Sequence, residues 1–353
     1  MPSNVAYELI KTELSVIYMM DGNPVLNLAS FVTTFMEKEA EKLIRDNLPK
    51  NFIDYEEYPA SSDLQNRCIN IIARLFNAPV DDPKSESMGV STIGSSEAII
   101  LSVLAMKKLW QKRRIAEGKS IERPNLVMSA SAASYLEVEE KFVYLKEGEY
   151  ILNPQEAVNL VDENTIGVCV ILGSTYTGHY EDAKTVNDLL LAKNKENGWD
   201  VPIHVDAASG GFVAPFINPD LVWDFRLPLV RSINVSGHKY GLCYPGIGWA
   251  IWKSPKYLPE ELIFNVNYLG TDQATFTLNF SKGAAPVISQ YYMLIRLGRS
   301  GFTAIMKNLM DVANILADQL EKIGKFEILS DRTGVSLPLV AFRLTSKDIH
   351  YDE

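Results

Sequence analysis

The fold is decided by the stretch IGVCVILGSTYTGHYEDAKTVNDLLLAKNKENGWDVPIHVD, which runs from Ile166 to Asp206. Its two ends, Ile166–Leu172 and Pro202–Val205, are short runs rich in β-branched residues, as is typical of buried parallel strands. The segment between them, Asp182–Asn197, has the pattern of a helix. Strands that alternate with helices at this spacing predict an α/β fold with a mostly parallel sheet.

The same alternation extends in both directions along the chain. Further strands are predicted at Asn125–Met128, Arg231–Val235, Ile247–Lys253, Phe326–Ser330 and Leu337–Leu344. Helices are predicted at Met36–Asn47, Ser62–Asn77, Ser95–Glu117, Ala284–Leu297 and Ala304–Ile323. For the helix at Ser62–Asn77, Ser61 or Ser62 is the predicted N-cap. Residues 1–20 have apolar side chains at helical spacing, which predicts an amphipathic helix or arm.

Composition and charge limit the classes of function. The chain has 353 residues, of which 47% are hydrophobic and 22% are charged, and this is typical of a globular protein. Its 34 Lys and Arg residues against 44 Asp and Glu residues give a net charge of −10. A chain this acidic is a poor candidate for binding nucleic acid or an anionic membrane, because both need surplus cations. We also expect no bilayer span and no signal peptide, since every apolar stretch is too short.

Cysteine and histidine usage indicates a reducing compartment. Three cysteines, Cys68, Cys169 and Cys243, lie far apart in the sequence and form no CxxC pair. We therefore expect neither a disulfide framework nor a zinc ribbon. With four histidines in the chain, a metal centre built from histidine is not expected either. The predicted location is the cytoplasm.

Three short segments could carry chemistry, and each also has a plainer interpretation. TIGSSEA (Thr92–Ala98) precedes a long predicted helix, where its Gly-Ser-Ser could bind an anion or could only cap the helix. Asp206 ends a predicted strand, where α/β folds place ligands, but a turn residue also fits there. Lys239 in SGHKY follows another strand, where it could form a Schiff base, although a lone lysine is usually solvated.

Together the three segments fit one cofactor. Pyridoxal phosphate needs an anion site, a carboxylate partner for its pyridinium nitrogen and a lysine for a Schiff base. The chain supplies these features in the order Thr92–Ala98, Asp206 and Lys239. The combination favours pyridoxal phosphate far more strongly than any one segment does.

Longer motifs carry a family resemblance. The chain resembles glutamate decarboxylase in TIGSSEA (Thr92–Ala98), IHVDAASGGFVAPF (Ile203–Phe216), WDFRLPLVRSINVSGHKYGL (Trp223–Leu242), and FNVNYLG with TFTLNFSKG (Phe264–Gly283). The resemblance extends from about Val5 to about Leu344. It implies the aspartate-aminotransferase-like fold, called fold type I, with a mostly parallel seven-stranded sheet. It also implies an N-terminal arm at 1–25, a large cofactor-binding domain at 26–308 and an incomplete α+β small domain at 309–353.

The resemblance assigns the cofactor residues one by one. Lys239 would form the Schiff base, and Asp206 would pair with the pyridinium nitrogen. The phosphate would be held by Ser95, Ser96, Ser236 and His238 of the same subunit and by Ser281 of the partner subunit. Ala208 would pack on the ring, and Thr175 would lie near its phenolic oxygen. His238 and Tyr268 would join Lys239 and Asp206 in catalysis.

The resemblance also implies the reaction and the substrate site. L-Glutamate would lose carbon dioxide to give 4-aminobutanoate (GABA). Ser30 and Phe31 in NLASF, with Asn51 and Asp54 in KNFIDYEEYP, would bind the distal carboxylate. Tyr268 and Leu269 would lie on a loop that helps to return a proton. The enzyme would be a homodimer with shared active sites, and no calmodulin-binding tail corresponds to the end of this chain.

Three departures from the family pattern favour a second hypothesis. The chain stops at Glu353, before the family's arginine for the α-carboxylate. MSASAASYL (Met128–Leu136) replaces the segment that supplies the ring-stacking residue, and Tyr135 is the only aromatic residue there. The run Leu14–Asp21 is longer than usual. These differences are compatible with a catalytically impaired relative that keeps the fold and the cofactor site. A decarboxylase of another amino acid is disfavoured by NLASF and KNFIDYEEYP.

Overall fold

The structure, a computed structural model, describes residues 2–17, 26–29, 32–33, 35–52, 57–79, 87–129, 136–266, 273–279 and 281–346. Its centre is a sheet of seven strands. In chain order these are β1 (Met88–Thr92), β2 (Asn125–Met128), β3 (Glu139–Phe142), β4 (Thr165–Ile171), β5 (Ile203–Asp206), β6 (Val230–Ser236) and β7 (Gly248–Trp252). Their order across the sheet is β1-β7-β6-β5-β4-β2-β3.

The sheet is mostly parallel, as the sequence predicts. Strand β7 runs antiparallel to both of its neighbours, β1 and β6, and the remaining pairs are parallel. The central strands are covered on both faces, so their side chains are buried on both faces as well. Val168, Val170, Val205, Ile233 and Val235 are each completely shielded from solvent.

The helices surround this sheet. They are α1 (Ser3–Ile17), α2 (Lys38–Asn47), α3 (Pro59–Leu75), α4 (Ser95–Ala116), α5 (Pro154–Leu160), α6 (Ala183–Asn197), α7 (Ala214–Ile217) and α8 (Ala285–Ile323). Helix α8 is interrupted at Gly298, where φ is +57° and the backbone is not helical, so the two helices predicted on either side of this point are separated by a kink. The structure also contains two short antiparallel strand pairs: β8 (Phe264–Val266) with β9 (Gln273–Thr275), and β10 (Phe326–Ile328) with β11 (Phe342–Leu344).

Most predicted elements are present, with shifted ends. The prediction of Ser61 or Ser62 as an N-cap was wrong, because α3 begins at Pro59 and is preceded by Tyr58. Proline is favoured in the first turn, since its missing N–H is not needed there. Strand β11 is also shorter than the predicted Leu337–Leu344. Strands β1, β3, β8 and β9 and helices α5 and α7 were not predicted.

The topology gathers the candidate residues at one edge of the sheet. The carboxyl ends of β4, β5 and β6 lie side by side, with Ile171 paired to Asp206 and Asp206 to Asn234. Helix α4 starts three residues after β1 ends at Thr92. Ligand sites of open α/β sheets lie at this edge.

Candidate active site

Four predicted cofactor residues border one cavity. Asp206 and Ala208 follow β5, Lys239 follows β6, and Thr175 lies in the loop after β4. The cavity has a volume of about 280 Å³ and is also lined by Ser209. The structure therefore brings together residues that are 64 positions apart in the sequence (239 minus 175).

Lys239 is held in a half-buried position. Its Nζ donates a hydrogen bond of 3.3 Å to Oγ of Ser209. The backbone on either side is fixed by Thr33, whose hydroxyl donates to the carbonyl oxygens of His238 at 3.1 Å and Lys239 at 2.9 Å. Burial lowers the pKa of Lys239, although the negative charge of Asp206 acts in the opposite direction. Less proton affinity means more of the neutral amine, which is the form that attacks a carbonyl.

Asp206 is fixed by two hydrogen bonds to the same oxygen. The backbone N–H of Ala208 donates to Oδ1 at 3.0 Å, and the side-chain amide of Asn234 donates to it at 2.8 Å. Oδ2 takes part in neither bond. A carboxylate held in this way has its second oxygen available for a positively charged N–H.

The predicted phosphate residues meet where α4 begins. Thr92 of β1 and Ser236 of β6 both pair with Gly248 of β7, so β7 separates the two strand ends. A Cβ on Gly248 would lie 2.6 Å from the carbonyl carbon of Gly94. The absence of a side chain lets the Gly94 loop cross β7, and the hydroxyls of Ser95 and Ser236 are in direct contact.

Two further predicted phosphate residues lie near this point. The ring of His238 lies 3.7 Å from where a Cβ on Gly94 would stand, and its Nδ1 donates to the Ile247 carbonyl at 3.2 Å. Burial lowers the pKa of His238. Ser96 is solvent-exposed in the first turn of α4. Because Gly94 contributes no capping side chain, the start of α4 is suited to an external anion.

The buried carboxylate of Glu97 organises the same helix start. It accepts hydrogen bonds from the Ile93 N–H at 2.9 Å, the Leu278 N–H at 3.1 Å and the Thr277 hydroxyl at 3.0 Å. Ile93 lies one residue before Gly94, the N-cap of α4, so Glu97 fixes the loop that leads into the helix and leaves the helix start uncapped.

Two predicted residues lie together but outside this cavity. The Asn51 amide donates to the Ser281 hydroxyl at 3.2 Å, and Asn51 pairs through its backbone with Gly283. Between them, Lys282 donates to the Ser91 carbonyl at 2.7 Å, and burial lowers its pKa to about 8. Ser30, Phe31, Asp54, Tyr268, Leu269 and Tyr135 lie outside the described residues.

A second cavity borders the other side of Lys239. It has a volume of about 440 Å³ and a mostly apolar lining. Its walls include Ala29, Val32 and Thr33, which flank the predicted substrate residues, and Met293 of α8. Lys239 therefore stands between the cavity at the strand ends and a second cavity on the N-terminal side.

Sequence reasoning missed three polar residues at this site. Glu181, 6% exposed, accepts hydrogen bonds from the N–H groups of Ile171 (2.7 Å) and Leu152 (3.2 Å) and from the Ser129 hydroxyl (2.8 Å). Burial raises the pKa of Glu181. The other two are His204 on β5 and Asn234 on β6, and neither of them lines the cavity.

A signal for His204 and Asn234 was present in the sequence. In IHVD and SINVS, polar residues alternate with β-branched ones inside strands that should be buried throughout. A polar residue in a buried strand needs a partner, so this alternation indicates a row of paired side chains.

The residues present fit pyridoxal phosphate. A half-buried amine and a fixed carboxylate share one cavity, and two touching hydroxyls lie at an uncapped helix start. These are the groups that the cofactor's carbonyl, ring nitrogen and phosphate require. Among the described residues, no cluster of three His, Cys, Asp or Glu side chains is arranged to hold a metal ion. In the same part of the chain, no helix combines the length and hydropathy needed to cross a membrane.

This sheet and this arrangement define a pyridoxal-phosphate enzyme of fold type I. The chain belongs to the pyridoxal-dependent decarboxylases, whose conserved domain matches residues 10–345. It is 57% identical to glutamate decarboxylase 1 of Arabidopsis thaliana, in an alignment that covers 99% of this chain and 70% of that protein. It is 47% identical to glutamate decarboxylase of Lactococcus lactis, over 96% of this chain and 73% of that protein.

A solved structure agrees with this assignment. The glutamate decarboxylase of Lactobacillus brevis superposes with a TM-score of 0.91 at 43% identity, covering 98% of this chain and 79% of that one. A sphingosine-1-phosphate lyase of Burkholderia pseudomallei superposes with a TM-score of 0.78 at 19% identity. The second similarity concerns the fold alone.

Proposed function

We propose that this chain decarboxylates L-glutamate to 4-aminobutanoate and carbon dioxide with pyridoxal phosphate as its cofactor. The observation that carries the proposal is the cavity shared by Lys239 and Asp206, in a chain 57% identical to a plant glutamate decarboxylase. Bound pyridoxal phosphate supplies the electron sink for the electron pair that departing carbon dioxide leaves behind. The side chains of the protein bind, orient and move protons.

Lys239 and Asp206 would hold the reactive parts of the cofactor. The lowered pKa of Lys239 provides a neutral amine to bind its carbonyl. Asp206, with two donors on Oδ1, would keep a proton on the ring nitrogen through Oδ2. A protonated ring nitrogen is the stronger electron acceptor, so this carboxylate would act directly on the rate of bond breaking.

The phosphate would sit where α4 begins. Ser95 and Ser236 would donate their hydroxyls, and the N–H groups of the first turn, including that of Ser96, would add the positive end of the helix dipole. His238 would donate from Nε2 once charged, a state that a nearby phosphate favours. Ala208 and Thr175 would orient the ring within the cavity of about 280 Å³.

Each turnover returns one proton to the substrate Cα in place of the carboxylate that leaves. Tyr268 is the proposed donor. The distal carboxylate of glutamate is proposed to bind at Ser30, Phe31, Asn51 and Asp54. The cavity lined by Val32 and Thr33, which Lys239 also borders, supports an approach of the substrate from this side.

We further propose a cytoplasmic homodimer with shared active sites. Ser281 is exposed and lies away from the cavity that Lys239 borders, as a residue serving a partner's phosphate must. Because Asn51 donates to Ser281, the two residues would serve the same site. Cys68, Cys169 and Cys243 are buried free thiols, which suits a reducing compartment.

Product analysis tests the proposed reaction. The purified chain is supplied with pyridoxal phosphate and, separately, with L-glutamate, L-aspartate, L-tyrosine or L-tryptophan. We expect 4-aminobutanoate and carbon dioxide in equal amounts from glutamate, and no amine from the other three. A faster reaction with another amino acid would refute the substrate assignment. Cofactor binding without any turnover would favour the catalytically impaired relative.

A further inference from the structure

We propose that His204 and Asn234 are positioning residues, which hold Asp206 turned so that Oδ2 faces the cofactor's ring nitrogen. The inference rests on the proposed function and deepens it. Neither residue borders the cavity, so both would act only through Asp206.

The sheet register places four polar side chains in one row. Strands β5 and β6 are parallel, with His204 opposite Ser232 and Asp206 opposite Asn234. Alternate residues of a strand point to the same face, so these four side chains share one face of the sheet. His204 and Asn234 are 0% exposed and Ser232 is 1% exposed, so no solvent completes their hydrogen bonds.

The row is a continuous hydrogen-bonded chain. Nδ1 of His204 lies 2.8 Å from the Ser232 hydroxyl, and Nε2 lies 2.8 Å from Oδ1 of Asn234. The amide nitrogen of Asn234 then donates to Oδ1 of Asp206 at 2.8 Å. The chain ends at the carboxylate that borders the cofactor cavity.

The direction of the hydrogen bonds follows from the charge of Asp206. A carboxylate only accepts, so Asn234 must present its NH₂ group there and turn its carbonyl toward His204. That carbonyl requires a proton on Nε2, which leaves Nδ1 to accept from Ser232. Burial lowers the pKa of His204, in agreement with a neutral ring that carries this one proton.

Protonation of Asp206 on Oδ1 would break this order. That oxygen already receives two N–H donors, from Ala208 and Asn234, so a third hydrogen cannot fit there. Of the two carboxylate oxygens, only Oδ2 is therefore left for the proton of the ring nitrogen. The hydrogen-bonded chain also prevents the carboxylate from rotating, because rotation would abandon both donors and leave buried polar groups unpaired.

Stability alone does not explain the row. Ala250 and Trp252 of β7 pair with Asn234 and Ser232, so they lie on the same face as the row, and both are buried. Apolar residues therefore fit this part of the sheet, and replacing a buried polar set by apolar groups is often neutral or stabilising. The polar residues are placed where their hydrogen bonds reach Asp206.

The test compares variants with a matched buried asparagine. Asn234→Leu and His204→Phe remove the chain, while His204→Gln keeps an N–H donor that can reach Asn234. The control is Asn187→Leu, since Asn187 is 1% exposed and accepts from the Leu229 N–H at 3.1 Å, far from the cavity. Each holoenzyme is measured for pyridoxal phosphate affinity, visible absorption spectrum, kcat and KM for glutamate.

We expect Asn234→Leu and His204→Phe to weaken cofactor affinity by about tenfold to a hundredfold, the range for a lost hydrogen bond to a charged group. Their absorption bands should shift, kcat should fall, and KM should change little. His204→Gln should keep a large part of the wild-type cofactor affinity, and Asn187→Leu should keep the wild-type spectrum. Wild-type affinity and spectra in Asn234→Leu and His204→Phe would overturn the inference.

The readouts separate this inference from the proposed function. Affinity and spectrum need no amino acid, so a wild-type chain that binds the cofactor but leaves glutamate unchanged contradicts only the proposed reaction. In that case the affinities of the variants still decide the role of His204 and Asn234. A wild-type chain that binds no pyridoxal phosphate overturns both.

Discussion

At the scale of single residues, Lys239 is distinguished by its half-buried amine between two cavities. We expect Lys239→Ala to abolish the cofactor-dependent absorption band and to lower turnover at least about a thousandfold, since no other group replaces a lost nucleophile. The control is Lys253→Ala. Burial also lowers the pKa of Lys253. Lys253 follows the carboxyl end of β7, which lies at the edge of the sheet opposite to Lys239, and it donates to the Leu227 carbonyl at 2.9 Å. Loss of the absorption band in Lys253→Ala, together with its retention in Lys239→Ala, would contradict the assignment.

The pKa of Lys239 gives a second residue-level prediction, on the chain without cofactor. The negative charge of Asp206 raises this pKa, while burial lowers it more strongly. Removing the charge in Asp206→Asn should therefore lower the pKa further, and Lys239 should lose its proton at a lower pH. The measurement is acetic anhydride labelling of the amine across a pH series, read by peptide mass spectrometry. A midpoint that moves upward in Asp206→Asn would refute the electrostatic coupling.

At the scale of residues, the sequence predicts a position most clearly where a side chain ends a strand, while the roles of these residues stay predictions. Asp206, Ser236 and Lys239 follow recognisable strands, so their common edge could be predicted. His204 and Asn234 were not identified because their partners lie on a neighbouring strand, and the register between β5 and β6 is not legible from either segment alone. Glu181 joins the N–H groups of Ile171 and Leu152 and the hydroxyl of Ser129, and only the folded chain brings these three segments together.

At the scale of elements, the contact between the α4 start and β6 depends on Gly248. A Cβ there would lie 2.6 Å from the carbonyl carbon of Gly94 and 2.8 Å from Oγ1 of Thr92. We expect Gly248→Ala to move the Gly94 loop, part Ser95 from Ser236 and weaken pyridoxal phosphate binding by about tenfold, because overpacking of backbone costs about 1–3 kcal/mol.

Pyridoxal, which lacks the phosphate, is the internal control for Gly248→Ala. Its affinity should be nearly unchanged if only the phosphate contacts are disturbed. Both affinities can be measured by equilibrium dialysis with the same protein sample. An equal loss for pyridoxal and pyridoxal phosphate would contradict a local effect at the phosphate residues.

Element-level prediction failed for short or polar segments. Strand β3 has the sequence EEKF, which resembles an exposed loop, and it becomes a strand by pairing with β2 at the edge of the sheet. Strand β1 contains Gly89 and Ser91 and is stabilised by its neighbour β7. Tertiary pairing overrides weak local propensity in both strands. Strands β4 and β6 are longer, and their own sequences predicted both strands to within about a residue of their ends.

At the scale of the whole molecule, the mostly parallel α/β sheet follows from the sequence pattern, and its seven strands were expected only from the family resemblance. The single antiparallel strand, β7, cannot be recognised from Ile247–Lys253 alone, because strand direction depends on the connection that precedes it. The division into segments 1–25, 26–308 and 309–353 stays a prediction.

Shared active sites lead to a prediction for the dimer. A chain carrying Lys239→Ala and a chain carrying Ser281→Trp should each be nearly inactive as homodimers. In a heterodimer, one site would combine Lys239 of one chain with Ser281 of the other, and both would be intact. We expect co-expressed, doubly tagged heterodimers to regain about half of the wild-type activity. Heterodimers as inactive as the parents would contradict a shared site.

The central claim is that Lys239 holds pyridoxal phosphate beside Asp206. Borohydride reduction fixes the cofactor covalently to the lysine that binds it, and peptide mass spectrometry then identifies that lysine. We expect a single phosphopyridoxyl group on the peptide that contains SGHKYGL, and none in Lys239→Ala. A group on another lysine, or one that persists in Lys239→Ala, would contradict the account.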